Sequence, residues 1–153
     1  MTDDDLAALC IWDEAAGEMY EGKVAVGRVI RNRMAARYES DGTVSGTVLA
    51  LNQFSGFWFE MVGGHYTRIC STLAQASLRA ETLLTEAKPQ AIWPQCVKAW
   101  ADSAPGSSFV GGPQFEKIDA RTLLYCYTAI SHPAWATPAA EVCIIGHHTF
   151  FHG

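Results

Sequence analysis

Apolar positions near the start of the chain recur with helical spacing. Leu6, Leu9 and Cys10 share one arc at about 100° per residue, and Asp13, Glu14 and Gly17 extend that arc toward the helix end. Thr2 or Asp3 is placed to cap this helix, and the acidic residues of its opening turn suit the positive end of the dipole. Two carboxylates thus continue an apolar face instead of a solvent face, the kind of local inconsistency that marks functional sites. A second helix is predicted over residues 21–38, with Val26, Val29, Ile30 and either Arg33 or Met34 turned inward, and a shorter one over 44–51. Residues 52–65, NQFSGFWFEMVGGH, are aromatic, glycine-rich and aperiodic, and predict a structured loop. Helices follow over 67–87 and 89–102, then a surface loop or flap over 103–113, where two prolines and three glycines interrupt any period. Residues 119–129 read as helical. Residues 141–151, EVCIIGHHTFF, are β-branched and aromatic and predict a short strand or hairpin. The fold class expected is mainly α (α+β): a compact helical domain with a short C-terminal β element.

At 153 residues the chain is near the commonest domain size, which predicts one core spanning 1–153 and no second module. Its 49% hydrophobic and 18% charged residues supply a packed interior and leave no case for disorder. A formal net charge of −5 speaks against general nucleic-acid binding, which wants a basic face. It also gives no electrostatic help toward an anionic polymer, so such a substrate would have to be held in a cleft. The acidic N-terminus lacks a basic stretch followed by an apolar run, so no secretory signal is read there, and no apolar run is long enough to insert in a membrane. Five scattered cysteines, never in a Cys-x-x-Cys pair, read as buried thiols in a reducing cytosol instead of a disulfide framework or zinc ribbon.

Three histidines near the C-terminus, His147, His148 and His152, raise the question of zinc. On a strand, His148 and His152 would face one side and His147 the other, and no His-Glu-x-x-His occurs. Structural or hydrogen-bonding roles are the better reading, and neither a metal nor another cofactor is expected.

The segment IWDEAAGEMYEGKVAVGRVIRNRM, residues 11–34, carries the most information. Glu14-Ala15-Ala16-Gly17-Glu18, then Gly22, Ala25, Val26 and Asn32-Arg33, resembles the opening motif of the SleB/CwlJ-type cell wall hydrolases, the spore-cortex-lytic enzymes. Three later landmarks follow in the family's order: Gln53-Phe54-Ser55, a Leu124-Tyr125 helix running on to Pro133-Ala134-Trp135, and Ile145-Gly146-His147 with Phe150. The likeness covers about residues 6 to 151. Two departures stand out: Ala16 where the family usually has Arg, and Gly56 where it commonly has Cys. Residues 57–120 match poorly.

What the resemblance implies is a lysozyme-like domain that cleaves peptidoglycan glycan strands between N-acetylmuramic acid and N-acetylglucosamine, in the lytic transglycosylase manner. Glu14 takes the position of the catalytic carboxylate, and Glu18, Gln53, Phe54, Ser55, Tyr125, Trp135 and His147 become candidates for the substrate cleft. The chemistry agrees. A glycosidic oxygen leaves poorly, so an acid must protonate it as positive charge develops on the sugar. An ordinary glutamate is ionised at neutral pH; burial and the negative end of a helix dipole both keep its proton on. One carboxylate suffices for a transglycosylase, whereas hydrolysis wants a partner roughly 5–5.5 Å away if retaining or roughly 6.5–9.5 Å if inverting. Glu18 and Asp13 stay open for that part.

Bland readings stand beside these. Glu14 would also serve as a turn cap or a partner for Arg33, and Glu18 as a structural tie into the second helix. Gln53 and Ser55 would satisfy buried backbone as readily as bind N-acetyl groups, and Tyr125 and Trp135 would pack in the core as readily as against a sugar. Rival functions are a muramidase, a zinc N-acetylmuramoyl-L-alanine amidase built on the terminal histidines, and a non-catalytic wall-binding protein. With no leader read in the sequence, the expectation is a monomeric phage or prophage endolysin, made in the cytoplasm and reaching the wall through a holin pore.

Overall fold

Helix α1 (Asp3–Ala15) begins where the Thr2 hydroxyl accepts the Asp5 backbone N–H at 3.0 Å, with Asp3, Asp4 and Asp5 in its first turn. Leu6, Ala7, Ala8, Leu9, Cys10 and Ile11 are all buried. Six consecutive buried residues go more than once round the helix, so α1 has no solvent face there and behaves as a core helix. Around it pack α2 (Tyr20–Ala36), α3 (Val44–Val48), α4 (Leu73–Ala87) and α5 (Trp93–Asp102). This computed structural model describes residues 1–118, 124–128 and 136–152.

The outer helices are fixed by particular contacts. On α2, a Cβ at Gly27 would lie 2.7 Å from the Ser103 Oγ, so the missing side chain lets α2 and the end of α5 approach closely. One turn on, the Arg31 guanidinium lies 3.6 Å over the Trp100 ring and donates to its carbonyl at 2.8 Å. Thr72 caps α4 in a reciprocal box with Gln75. In the first turn of α1 Asp4 accepts from Trp100 Nε1 at 2.8 Å, and near its other end Trp12 Nε1 donates to Gln90 at 3.0 Å.

Two small antiparallel sheets complete the architecture. β1 (Phe59–Val62) and β2 (His65–Arg68) form a hairpin whose two turn residues, Gly63 and Gly64, both have positive φ. In the second sheet β5 (His148–His152) lies between β3 (Leu124–Thr128) and β4 (Glu141–Ile145). The result is the mainly helical α+β, lysozyme-like arrangement that the sequence predicts, with its β element at the C-terminus.

Three segments differ from expectation. Residues 52–65 are not all loop, because the glycine pair makes a two-residue hairpin turn whose twist suits the flanking strands. The helix predicted from residue 67 begins at Leu73, because Thr67 and Arg68 are spent in β2. Within 119–129, residues Leu124–Thr128 are a strand, paired so that Tyr125 stands opposite Phe151. Short apolar runs read equally well at either period, and here pairing with β5 decides. The rest of that predicted helix lies outside the described residues. The flap at 103–113 does lack regular structure; Glu21 holds it by accepting the Gly112 N–H at 2.8 Å, and Phe109 sits between Tyr20 and Phe115.

Glu18 ties the second sheet to the helices. Its Oε2 accepts the His147 backbone N–H at 3.1 Å, while Oε1 lies 2.9 Å from the His147 Nδ1. The carboxylate occupies the space beside Gly146, whose φ of +59° makes the β4–β5 turn and where a Cβ would fall 2.0 Å from Oε2. The buried Lys23 ammonium donates to the Glu18 carbonyl. Burial pushes the Glu18 pKa up, but the bonds from His147 and the charges of both histidines outweigh it, and the net shift is downward from 4.5. Glu18→Ala therefore lowers stability by about 0.5–1.5 kcal/mol near neutral pH, the net worth of a hydrogen bond whose exposed His147 donors turn to water, as urea unfolding would measure. A depressed carboxylate pKa stabilises above the unfolded value near 4.5, and that share is lost as pH falls through the folded value. The gap between wild type and Glu18→Ala should narrow in acid; a gap that stays constant down to about pH 3 would contradict this role.

Candidate active site

Glu14 stands in the last turn of α1, where no basic side chain offsets the negative end of the dipole. It is partly buried, and its pKa is raised from 4.5 to about 8. Desolvation is the main cause, the neighbouring Asp13 charge adds to it, and the Arg33 guanidinium pulls back. Glu14 thus holds its proton at neutral pH, as an acid catalyst must.

Arg33 comes from α2 and is 4% exposed. Its guanidinium lies 5.0 Å over the Phe54 ring, and Nη1 is 3.4 Å from the Gln53 Oε1. Through Arg33 the Gln53-Phe54-Ser55 segment is brought to the end of α1. Gln53 is partly buried and Ser55 exposed, both within reach of solvent. Phe54 is 2% exposed, so it supports Arg33 from the core and does not offer a face to a sugar.

Asp13 turns to the other side. It accepts the Gly56 N–H, and Arg79 of α4 adds a favourable charge, yet burial dominates and raises its pKa from 3.8 to about 6. Arg79 Nε donates to the Gly56 carbonyl at 2.8 Å. A Cβ on residue 56 would fall 1.8 Å from the Asp13 Oδ2, which gives a physical reason for glycine here.

The other candidates separate. Glu18 is committed to the hairpin turn, and His147 is exposed beside it. Strand alternation misplaces His147, which sits in the turn, so that His148 Nδ1 also comes to 3.7 Å from the Glu18 Oε1. Tyr125 lies on β3, not on a helix, and Trp135 lies outside the described residues. Among the described residues no group of three or more His, Cys, Asp or Glu side chains is arranged to hold a metal ion. No described helix is long and apolar enough to cross a membrane. A depression of about 590 Å³ opens between α3 and the start of α4, walled by Asp41, Ser45, Leu49, Trp58 and Leu73 among others; Glu14 is not part of it.

Sequence reasoning did not find the tie between Arg79 and Gly56. Residue 79 sits in an unremarkable polar stretch, and nothing local connects it to position 56. Arg33 did leave a signal, as a charge on the inward arc of α2.

Comparison with known proteins adds the family. The sequence pattern described as cell wall hydrolase matches residues 17–151, beginning just after Glu14. No curated protein matches. The crystal structure of the catalytic domain of Bacillus cereus SleB is similar at a TM-score of 0.57 and 23% identity, covering 97% of this chain and 88% of that one. The catalytic domain of the germination-specific lytic transglycosylase SleB from Bacillus anthracis is similar at 0.57 and 22%, covering 97% and 93%. At these identities the solved structures speak for the fold, and the motif order and the matched pattern speak for descent: the chain belongs to the cell wall hydrolase family, the SleB/CwlJ-type enzymes that degrade peptidoglycan.

Proposed function

We propose that the chain cleaves the bond between N-acetylmuramic acid and N-acetylglucosamine as a lytic transglycosylase, with Glu14 as acid and then base. The observation that carries this is the protonated, desolvated Glu14 carboxyl at the end of a buried helix. In the first step that proton passes to the glycosidic oxygen as the bond from muramic acid C1 breaks, leaving positive charge on the sugar ring and a carboxylate at Glu14. In the second, the Glu14 carboxylate takes the proton of the muramic acid C6 hydroxyl while O6 bonds to C1. A 1,6-anhydro ring closes, Glu14 regains its proton, and no water is consumed.

The neighbouring carboxylates favour this route over hydrolysis. Asp13 is spent on the Gly56 amide and Glu18 on His147, so neither is placed to orient a water for attack. The C6 hydroxyl needs no such helper, because intramolecular attack gains up to about 7–11 kcal/mol from proximity when the geometry is ideal. The Bacillus anthracis relative, described as a lytic transglycosylase, points the same way.

Glu14→Gln keeps size and polarity but carries no acidic proton. It should cut lysis of purified sacculi by about 10²–10⁴-fold with the fold retained; a folded variant near the wild-type rate would remove Glu14 from the mechanism. Wild-type activity should fall as pH rises through about 8, where Glu14 loses its proton.

Mass spectrometry of the released muropeptides should find mainly anhydro ends, lighter than hydrolytic ends by one water and inert to borohydride. Chromatograms dominated by reducible ends would make the enzyme a muramidase.

The amidase alternative keeps one observation, the approach of His147 and His148 to Glu18. Treatment with EDTA followed by dialysis should leave activity unchanged. One zinc per chain, with activity restored only by zinc, would establish the amidase in its place.

A further inference from the structure

Asp13 is a half-buried carboxylate that the reaction just described does not use. An acidic side chain in such a place costs stability unless something offsets its desolvation. The offsets here are specific. The Gly56 N–H donates to it, and the Arg79 guanidinium lies close enough to stabilise its charge. Arg79 Nε in turn holds the Gly56 carbonyl at 2.8 Å. Gly56 is therefore held from two sides: the Asp13 carboxylate of α1 packs against it, and Arg79 of α4 holds its carbonyl. The fit is tight: a Cβ at position 56 would lie 1.8 Å from Oδ2 and 2.2 Å from Cγ of Asp13. Asp13 is too short to move aside and keep its bond, so any residue but glycine at 56 displaces the carboxylate.

The gripped residue belongs to the short helical turn Ser55–Phe57, which directly follows Gln53 and Phe54, the two residues that engage Arg33. Asp13 also precedes Glu14 in the chain, so its charge is among those nearest the catalytic carboxyl. We propose that Asp13 is a positioning residue: its carboxylate locks the Gln53–Phe57 segment onto the catalytic helix, and its negative charge holds the proton on Glu14. The idea rests on Glu14 being the acid.

The groups facing this pair can be named from every packed element. Arg33 of α2 favours ionised Glu14, and Arg79 of α4 favours ionised Asp13. α3 carries no titratable side chain. On α5, Lys98 and Asp102 pair with one another and with Tyr20. Glu18, at the start of the next turn, is engaged with His147 and His148. Near pH 7 the arrangement thus holds one proton on two adjacent carboxyls, with Asp13 ionised and Glu14 protonated. Burial is the largest cause of both shifts; Arg79 and the Gly56 amide favour charge on Asp13, and Arg33 favours it on Glu14.

The test replaces Asp13 by Asn, which still accepts the Gly56 N–H but carries no charge. Carboxyl ¹³C NMR titration should show the Glu14 midpoint falling by about half a pH unit or more in Asp13→Asn, and the alkaline limb of the lysis rate should move down with it. A Glu14 midpoint and an alkaline limb both unchanged in a folded variant would overturn the proposal, since a purely structural Asp13 would lower the rate without moving either. Should Asp13→Asn fail to fold, the wild-type titration decides. Glu14 must then titrate near 8, after Asp13 near 6; a Glu14 midpoint close to 4.5 would overturn the idea. The grip itself is read from Gly56→Ala, expected to destabilise wild type much more than it destabilises Asp13→Ala; equal losses in both backgrounds would refute the fit. Failure of the acid assignment looks different, because it shows as activity retained in Glu14→Gln while the NMR shift in Asp13→Asn persists.

Discussion

Everything in this structure leans on the burial of α1. Its middle two turns have no polar face at all, and four helices supply the apolar surroundings that such a helix requires. A helix enclosed on all sides cannot shift or tilt without opening cavities against several partners at once. Its C-terminal turn is therefore a rigid platform, and the residues there inherit the low polarity of the core. Glu14 is desolvated because the helix that carries it is, not because a pocket was shaped around it afterward.

Desolvation alone would make a neutral but poorly controlled carboxyl. The charges nearest Glu14 have opposite signs: Asp13 raises its pKa and Arg33 lowers it. Both are themselves fastened to the same short segment, Asp13 through the Gly56 amide and Arg33 through Gln53 and Phe54. The electrostatics of the acid and the position of the adjoining loop are consequently not independent. A change that loosens residues 53–57 would also alter the field at Glu14.

The same device recurs at the other carboxylate. Glu18 fills the space beside Gly146 as Asp13 fills the space beside Gly56, and Glu18 accepts the His147 backbone N–H from the turn it holds. Anchoring to backbone amides gives a carboxylate short, directional bonds. Glycine is needed at the receiving site for room, and at Gly146 for its positive φ as well. With Glu18 and Asp13 both committed in this way, Glu14 is the carboxyl at this end of α1 that the proposed reaction uses.

How much of this was legible beforehand differs by element. Helix positions along α1, α2, α4 and α5 follow from apolar spacing and capping residues, which are local properties of the chain. The odd placement of Asp13 and Glu14 on an apolar arc was visible for the same reason, and the ordered motifs from Glu14 to Phe150 carried the family. The strand at Leu124–Thr128 was not legible, since so short a run of mostly apolar and aromatic residues satisfies either period until a partner ladder is present. Nor was the turn position of His147, which brings both histidines to Glu18. Sequence by itself determined the helical scaffold, the family and the catalytic candidate, because each is written in neighbouring residues. Only the tertiary structure decided which carboxylate stays protonated and which are spent as anchors, because that depends on Arg33, Arg79, Gly56 and His147, brought from distant parts of the chain to within reach of one helix end.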